Sequence, residues 1–521
     1  MSTAGQPVSR SRWLALSAML FAVAMTFIDQ TIVAIAAPDL SGELGLSRGG
    51  SQWVINAYLV ALAAGFAFFG RLADVVGSKR MVLIGIIGFA ATSALCGATP
   101  TGDLASAWII TFRALQGLSA AVMFPAALAV VVASFPVQER GKALAIFFGV
   151  SGGLTAIGPI AGGYLTQWTW RSIFWINIPV AVVAVVLTVM AGISSHGRKE
   201  PIDVPGAVLI AAGMAFSVLG LEQAGTWGWG DWRTIACIVG GLVLLAWFVA
   251  VERRTEHPLI KLRIFNDRAF AVDNAVLFFS MIAFVPVFFF ASVYAQVALG
   301  YDANNAGLYL LCFFGGFAPA AQVAGRMLDS RGAKPCLLIG GVLGTAGFAI
   351  WASMLTDLSL GSQWWAIVLS GAGIGFILGP ASTDAVNRAI GASYGEVTGI
   401  SQTLRNYGSA LGMAVLGTLL SQVFTSRLTS TLIGAGVPAD QAATIAGESA
   451  SQGAGGSAGA SGSIPQALQQ AVAMDFAVAT RAVIIGMAVV LAISFLLAFL
   501  HPGGRVTEES TSPAAPVPEN A

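Results

Sequence analysis

The chain has 521 residues, of which 56% are hydrophobic and 10% charged, and its net charge is +1. An average soluble domain is about 25% charged, so a water-facing surface is excluded over most of this length. The near-neutral balance, with no Lys/Arg patch interleaved with aromatics, excludes nucleic acid as a partner.

In chain order, apolar runs long enough to cross a roughly 30 Å hydrocarbon core recur fourteen times. Trp13–Ala37 follows Arg10 and Arg12, is too long for a signal-peptide core, and carries Asp29. Trp53–Leu72 and Met81–Gly97 flank a charged loop. Ala107–Ala133 contains Arg113, and Ala143–Leu165 is rich in glycine. Ile173–Ile193, Val204–Leu221 and Thr234–Val251 follow, then Phe270–Val297, Ala306–Leu328, Pro335–Leu355, Trp364–Val386, Val397–Val423 and Ala482–Leu500. A bilayer offers no partner to backbone polar groups, so each run is expected to be a helix.

Charge asymmetry tests the count. With the N-terminus cytoplasmic, the inside segments hold nineteen of the 26 Lys and Arg. The outside segments hold Arg48, Arg171, Arg233 and Arg427, while Arg113, Arg405 and Arg481 lie within or at the edge of runs. A miscounted span would scramble this positive-inside pattern downstream. It predicts a multi-pass protein of the inner membrane with both termini cytoplasmic. Trp168, Trp170, Trp227, Trp229, Trp232, Trp364 and Trp365 all fall at predicted outer boundaries, as interfacial aromatics do. The segment Thr425–Val478 includes the Gly/Ser/Ala stretch 450–462 and reads as a mobile external spacer, with a small extracellular cap over the mouth as the alternative. The four cysteines are scattered without metal-ligand spacing.

The sequence Gly70-Arg71-Leu-Ala-Asp74-Val-Val-Gly77-Ser-Lys79 recurs as Gly325-Arg-Met-Leu-Asp329-Ser-Arg-Gly332-Ala-Lys334, an offset of 255. The same offset carries Pro125 onto Pro380. The copies lie eight runs apart, which is one six-helix bundle plus an inserted pair. The expected organisation is a cytoplasmic N-terminus (1–12), a six-helix bundle (13–198), an inserted helix pair (199–262) and a second bundle (263–500). The second bundle carries the external loop 425–478, and a cytoplasmic tail (501–521) closes the chain. Such parallel repeats are known in transporters.

Here the sequence resembles the fourteen-spanner drug:proton antiporter family of the major facilitator superfamily. Gly70–Arg80 resembles the superfamily's cytoplasmic loop, and Ile28–Pro38 the family's first-span signature. Arg113-Ala-Leu-Gln116-Gly117 resembles the proton-relay motif, and Gly158-Pro159-Ile-Ala-Gly162-Gly163 the antiporter motif. Leu154 departs from that last motif, which usually has an earlier glycine. The resemblance implies an all-α major facilitator fold and proton-coupled export.

Each motif also has a physical reading. Gly70 and Gly77 permit close approach and tight turning. Asp74, beside Arg71, Lys79 and Arg80, can accept from a facing helix N-terminus or pair with Arg140 or Lys142. Asp329 repeats it in the second half, so the two loops read as a gate. The glycine stripe through Gly158, Gly162 and Gly163 suits helix contact, and Pro159 suits a kink. Asp29 and Arg113 are ionisable groups within spans, a functional-site hypothesis by default. Their depths from the outer boundary agree, roughly 13 Å and 8–12 Å at 1.5 Å per residue. At +255 stand Phe284 and Val368, so neither charge is repeated. Together Asp29 and Arg113 are expected to couple protons. Phe27, Gln116, Phe124, Phe284 and Tyr407 are expected among the walls of a substrate cavity.

Asp273 and Asp384 fall near cytoplasmic ends and Glu222 near an outer end, positions where carboxylates are solvated. His196, His257 and His501 have no ligand-like partner in sequence. With no nucleotide loop, metal spacing or nucleophile motif, neither enzymatic chemistry nor any cofactor or metal is expected. The partners are a small-molecule substrate, protons and the lipid bilayer, with no obligatory protein partner evident. Proton-coupled efflux of amphipathic molecules is the favoured reading. Uptake of a nutrient such as a vitamin or aromatic metabolite is the alternative, and a non-transporting sensor the third class.

Overall fold

The structure is a computed structural model that describes residues 8–46, 48–193, 197, 201, 203–256, 258–301, 303–388, 394–454 and 469–504. His196, His257, residues 455–468 and the tail beyond 504 lie outside the described residues. The helices are α1 (Val8–Leu44), α2 (Arg48–Val76), α3 (Ser78–Gly97), α4 (Ala105–Ser134), α5 (Val137–Thr166), the short α6 (Ser172–Trp175) and α7 (Asn177–Met190). They continue as α8 (Val204–Trp227), α9 (Trp232–Glu252), α10 (Arg268–Val297), α11 (Ala303–Arg331) and α12 (Ala333–Met354). The last four are α13 (Leu360–Arg388), α14 (Tyr394–Gly434), α15 (Ala439–Ala454) and α16 (Gln469–Phe499).

Among the described residues there is no strand, and thirteen helical segments are long and apolar enough to cross a membrane, α6 and α7 together forming one. The 30-residue α5 stands where the remaining expected run lies. The fold is the all-α one expected from the sequence.

Local chemistry sets several boundaries. Asp203, Asp231 and Asp267 cap α8, α9 and α10, each accepting from a first-turn N–H; such caps satisfy donors that have no intrahelical partner. The last glycine of each repeated loop, Gly77 and Gly332, has φ of +106° and +83° at the start of α3 and α12. A side chain is strained there, which explains why both copies keep glycine. The face carrying these two loops is the loop face.

Apolar side chains gather into two large clusters. One centres on α1–α5 and takes in α7, α8 and the first half of α14. The other centres on α10–α13, the second half of α14, and α16. α2 packs on α14, and α5 on α11 and α13, which joins the two halves.

One expectation needs correction. The start of the segment read as a mobile spacer is helical: α14 runs on to Gly434, and α15 packs back on it through Leu428, Leu432, Ala442, Ala446 and Ala450. An apolar stripe at 428, 432, 442 and 446 has helical spacing, and composition alone obscured it. Just past the end of α5, Trp170 is buried and donates to Glu43, which also pairs with Arg171 at 2.5 Å. That contact fastens the far end of α1 to the start of α6, and α1 runs past Ala37 to Leu44.

Candidate functional site

The charged centre is built by α1, α2 and α4. Asp29 is 0% exposed in mid-α1, and an isolated carboxylate there would carry a large desolvation cost. α4 meets that cost with Arg113 and, one turn on, Gln116, which share a helix face at this spacing. Arg113 Nη1 lies 2.5 Å from Asp29 Oδ2 and 2.8 Å from Gln116 Oε1, and Gln116 Nε2 donates to Asp29 Oδ1 at 2.9 Å. Both carboxylate oxygens are therefore occupied. From α2, the Val54 carbonyl accepts from Arg113 Nε at 2.9 Å, and the Tyr58 ring lies 4.5 Å beneath the guanidinium. The depth match in the sequence is realised as direct contact.

The neighbouring glycines make this possible. A Cβ on Gly117 would strike the Tyr58 backbone, so α4 reaches α2 closely only because that residue is glycine. A Cβ on Gly158 of α5 would strike Thr31 Oγ1 and crowd the Ile28 carbonyl of α1. Gly158 thus rests on the turn of α1 that carries Asp29. Gly162 is buried and Gly163 half-buried further along α5. The α5 backbone is helical through Pro159, whose side chain lies outside the description.

At the loop face, Asp74 Oδ2 accepts from the Glu396 N–H in the first turn of α14 at 2.9 Å. This is the helix-N-terminus contact expected of that carboxylate. Its repeat, Asp329, abuts the start of α5, where a Cβ on Gly141 would lie 2.5 Å from Asp329 Oδ1. Gly70 and Arg71 are buried, Lys79 is half-buried and Arg80 exposed. Arg140 donates to Asn387 Oδ1 of α13 at 2.9 Å, and Lys142 stands over the Trp13 ring. Gly399 packs on Phe66 and Ala67. The contacts of Asp74, Arg140 and Gly399 join the halves along the loop face.

The residues expected along a cavity fall in several packing environments. Phe27 and Phe124 touch edge to face at 5.7 Å, and Phe124 continues to Phe66 and Phe147. Gln116 is fully buried on Asp29. Phe284 stacks on Phe317 within the second cluster. Tyr407 packs from α14 against the first cluster.

Asp273 and Asp384 are not solvated, and this is a further correction. Both are buried beside His501, whose Nε2 lies 3.0 Å from Asp384 Oδ2 and 3.6 Å from Asp273 Oδ1. Arg388 binds Asp384 at 2.6 Å and reaches the carbonyls of Gly503 and Gly504. Burial opposes charging His501, but the Asp273 carboxylate 3.6 Å away and the hydrogen bond to Asp384 outweigh it and raise its pKa to about 9. The three side chains lie within 4.8 Å of one another, a spacing that a cation could use. However, Gly503 N–H donates to Nδ1, so in the neutral ring the proton sits on Nε2. The imidazolium also carries a proton there, so the ring turns a donor towards the carboxylates, as a salt link rather than a metal ligand. Glu222 is half-buried on α8. The i, i+4 pair Asp384/Arg388 was legible in sequence; the partnership with His501, 117 residues on, was not.

A model of the Major Facilitator Superfamily matches residues 19–413. Among similar proteins, the tetracenomycin C resistance and export protein of Streptomyces glaucescens is 34% identical, covering 78% of this chain and 76% of that one. The puromycin resistance protein of Streptomyces alboniger is 33% identical over 80% and 84%. The cephamycin export protein of Amycolatopsis lactamdurans is 33% identical over 76% and 82%. Among solved structures, the proton:xylose symporter XylE aligns with a TM-score of 0.57 at 13% identity, over 86% of this chain and 95% of that one, a likeness of fold alone. With helices that cross the bilayer many times, no enzymatic motif, and a match over most of its length, this chain is a multi-pass membrane transporter that belongs to the Major Facilitator Superfamily.

Proposed function

We propose that the protein is a proton-driven exporter of amphipathic small molecules. It works in the inner membrane with both termini and the loop face in the cytoplasm. The observation that carries the proton coupling is the Asp29–Arg113–Gln116 network. It is a buried ion pair within a span, and the +255 positions in the second half, Phe284 and Val368, repeat neither charge. Relatives whose names record export or resistance to antibiotics support the outward direction.

Protonation of Asp29 removes the charge that Arg113 faces. Arg113 keeps Val54 and Tyr58 on α2, so the bond that weakens is the one to α1. The α1 turn released in this way is the one that Gly158 touches, and α5 runs from there to the loop-face contact of Gly141 with Asp329. α5 is therefore the rod that links the proton site to the loop face. One charge crossing 100 mV supplies about 2.3 kcal/mol, enough to shift such a two-state balance by more than tenfold.

The test is transport in proteoliposomes under an imposed pH gradient, with equilibrium binding alongside. Asp29→Asn, which mimics the protonated carboxyl, should abolish gradient-driven flux while binding persists. Wild-type flux in that variant would place the proton carrier elsewhere. Substrate moving in the same direction as the protons, rather than against them, would reverse the direction proposed.

A further inference from the structure

Among the described residues, Arg405 is a buried cation with no carboxylate partner. It lies on α14, is 5% exposed, and forms no ion pair among the described residues. Its Nε has no hydrogen-bond partner, and its Nη1 contact to Ser382 Oγ on α13 is long, at 3.4 Å. Ser401 Oγ and Gln402 Oε1, one turn earlier on the same face of α14, are also buried without partners. The nearby carboxylate of α13, Asp384, is held by Arg388 and His501. A buried guanidinium left unpaired is costly, and three adjacent bare polar atoms add to that cost.

What covers the charge is an aromatic ring from the other half: Phe148 of α5, 4.5 Å from the guanidinium carbon. Arg405 is eleven residues from the start of α14, and Phe148 eleven from the start of α5. Both helices start at the loop face, so both side chains lie roughly 16 Å in, about the middle of the hydrocarbon core. A cation on a ring is worth less than the same cation on an anion, which adds charge-assisted hydrogen bonds.

We propose that Arg405, with Ser401, Gln402 and Ser382, binds the acidic group of the transported molecule, and that the substrates are amphipathic organic anions. Phe148 covers the guanidinium when the site is empty and lies against the substrate's apolar body when it is filled. This rests on the export reading and names its substrate class. Asp29 and Arg113 satisfy each other in a separate network, so the anion does not compete with the proton for the same cation.

Naphthalene-2-carboxylate and its uncharged amide are suitable probes, alike in shape and differing in charge. Equilibrium binding to the purified full chain in nanodiscs at pH 7 should favour the acid by about tenfold, the scale of one charge-assisted bond. Arg405→Gln should erase the preference, and Arg405→Lys should keep part of it, which loss of folding cannot imitate. Equal binding of acid and amide to the wild type, no measurable binding of the acid, or a preference surviving in Arg405→Gln would each overturn the proposal. No gradient is applied, so the result is independent of Asp29. Asp29→Asn should keep the acid preference even as it loses gradient-driven flux, and the two readings fail separately.

Discussion

Gly158 of α5 lies against Thr31 of α1 so closely that a Cβ would collide with the threonine hydroxyl. Thr31 and Ile28, which Gly158 also touches, flank Asp29 on its own helix turn. Gly158→Ala should therefore force α1 and α5 apart at the proton site. We expect flux to fall about tenfold or more, since overpacking of this kind costs roughly 1–3 kcal/mol. The pH midpoint of transport should move as well. Expression-normalised flux across a pH series measures both, and a normal midpoint would show that the seam does not reach Asp29.

Arg113→Lys keeps the charge but loses the planar fork that serves Val54, Asp29 and Gln116 together. Its expected signature is a displaced pH profile with residual transport. Arg113→Ala leaves Asp29 buried without its counter-charge, a change that costs about 3–5 kcal/mol. Thermal unfolding in detergent should show a clear drop for Ala and a smaller one for Lys. Equal melting of Ala and wild type would mean that Asp29 is already neutral there.

Asp74→Ala should impair transport more than Asp329→Ala. Asp74 accepts a backbone N–H at the start of α14, a charge-assisted bond worth about 1.5–3 kcal/mol. Asp329 instead meets the start of α5 beside Gly141. Flux normalised to protein in the membrane would distinguish them, and equal small losses would reduce both loops to topology anchors.

The contact of His501 with the bundle should depend on pH. Its pKa is raised from 6.5 to about 9, so the contribution is complete below about 6.5 and is lost as pH rises through 9. The groups facing it are Asp273 from α10 and Asp384 and Arg388 from α13, with Lys334 of α12 beside Gly503. The Gly503 N–H bond to Nδ1 belongs to the neutral ring and offsets part of that loss. A spin label at Pro502→Cys, paired with one at Ser330→Cys, should report a tail held close at pH 6 and looser at pH 9.5. An unchanged distance distribution, or the opposite trend, would mean that the carboxylates do not hold the ring by charge.

Much of this protein is written along the chain itself. Hydropathy gave the apolar runs, charge asymmetry their alternation, and the offset of 255 the pair of loops with Gly77 and Gly332 at strained positions. These features are legible because span length, loop charge and turn conformation depend on residues adjacent in sequence. Asp29 and Arg113 stood out because a charge inside an apolar run needs a reason.

Rotation about each helix axis was not legible. These helices are apolar on nearly every side, so they carry no amphipathic period to say which face meets which neighbour. Only the tertiary structure decided that Gln116 serves Asp29 rather than a cavity wall, and that Asp273 and Asp384 are buried against His501 rather than solvated. It alone decided that Arg405 faces a phenyl ring where a carboxylate would be expected. Each of these turns on partners far apart in sequence, brought together by helix packing that no local pattern records.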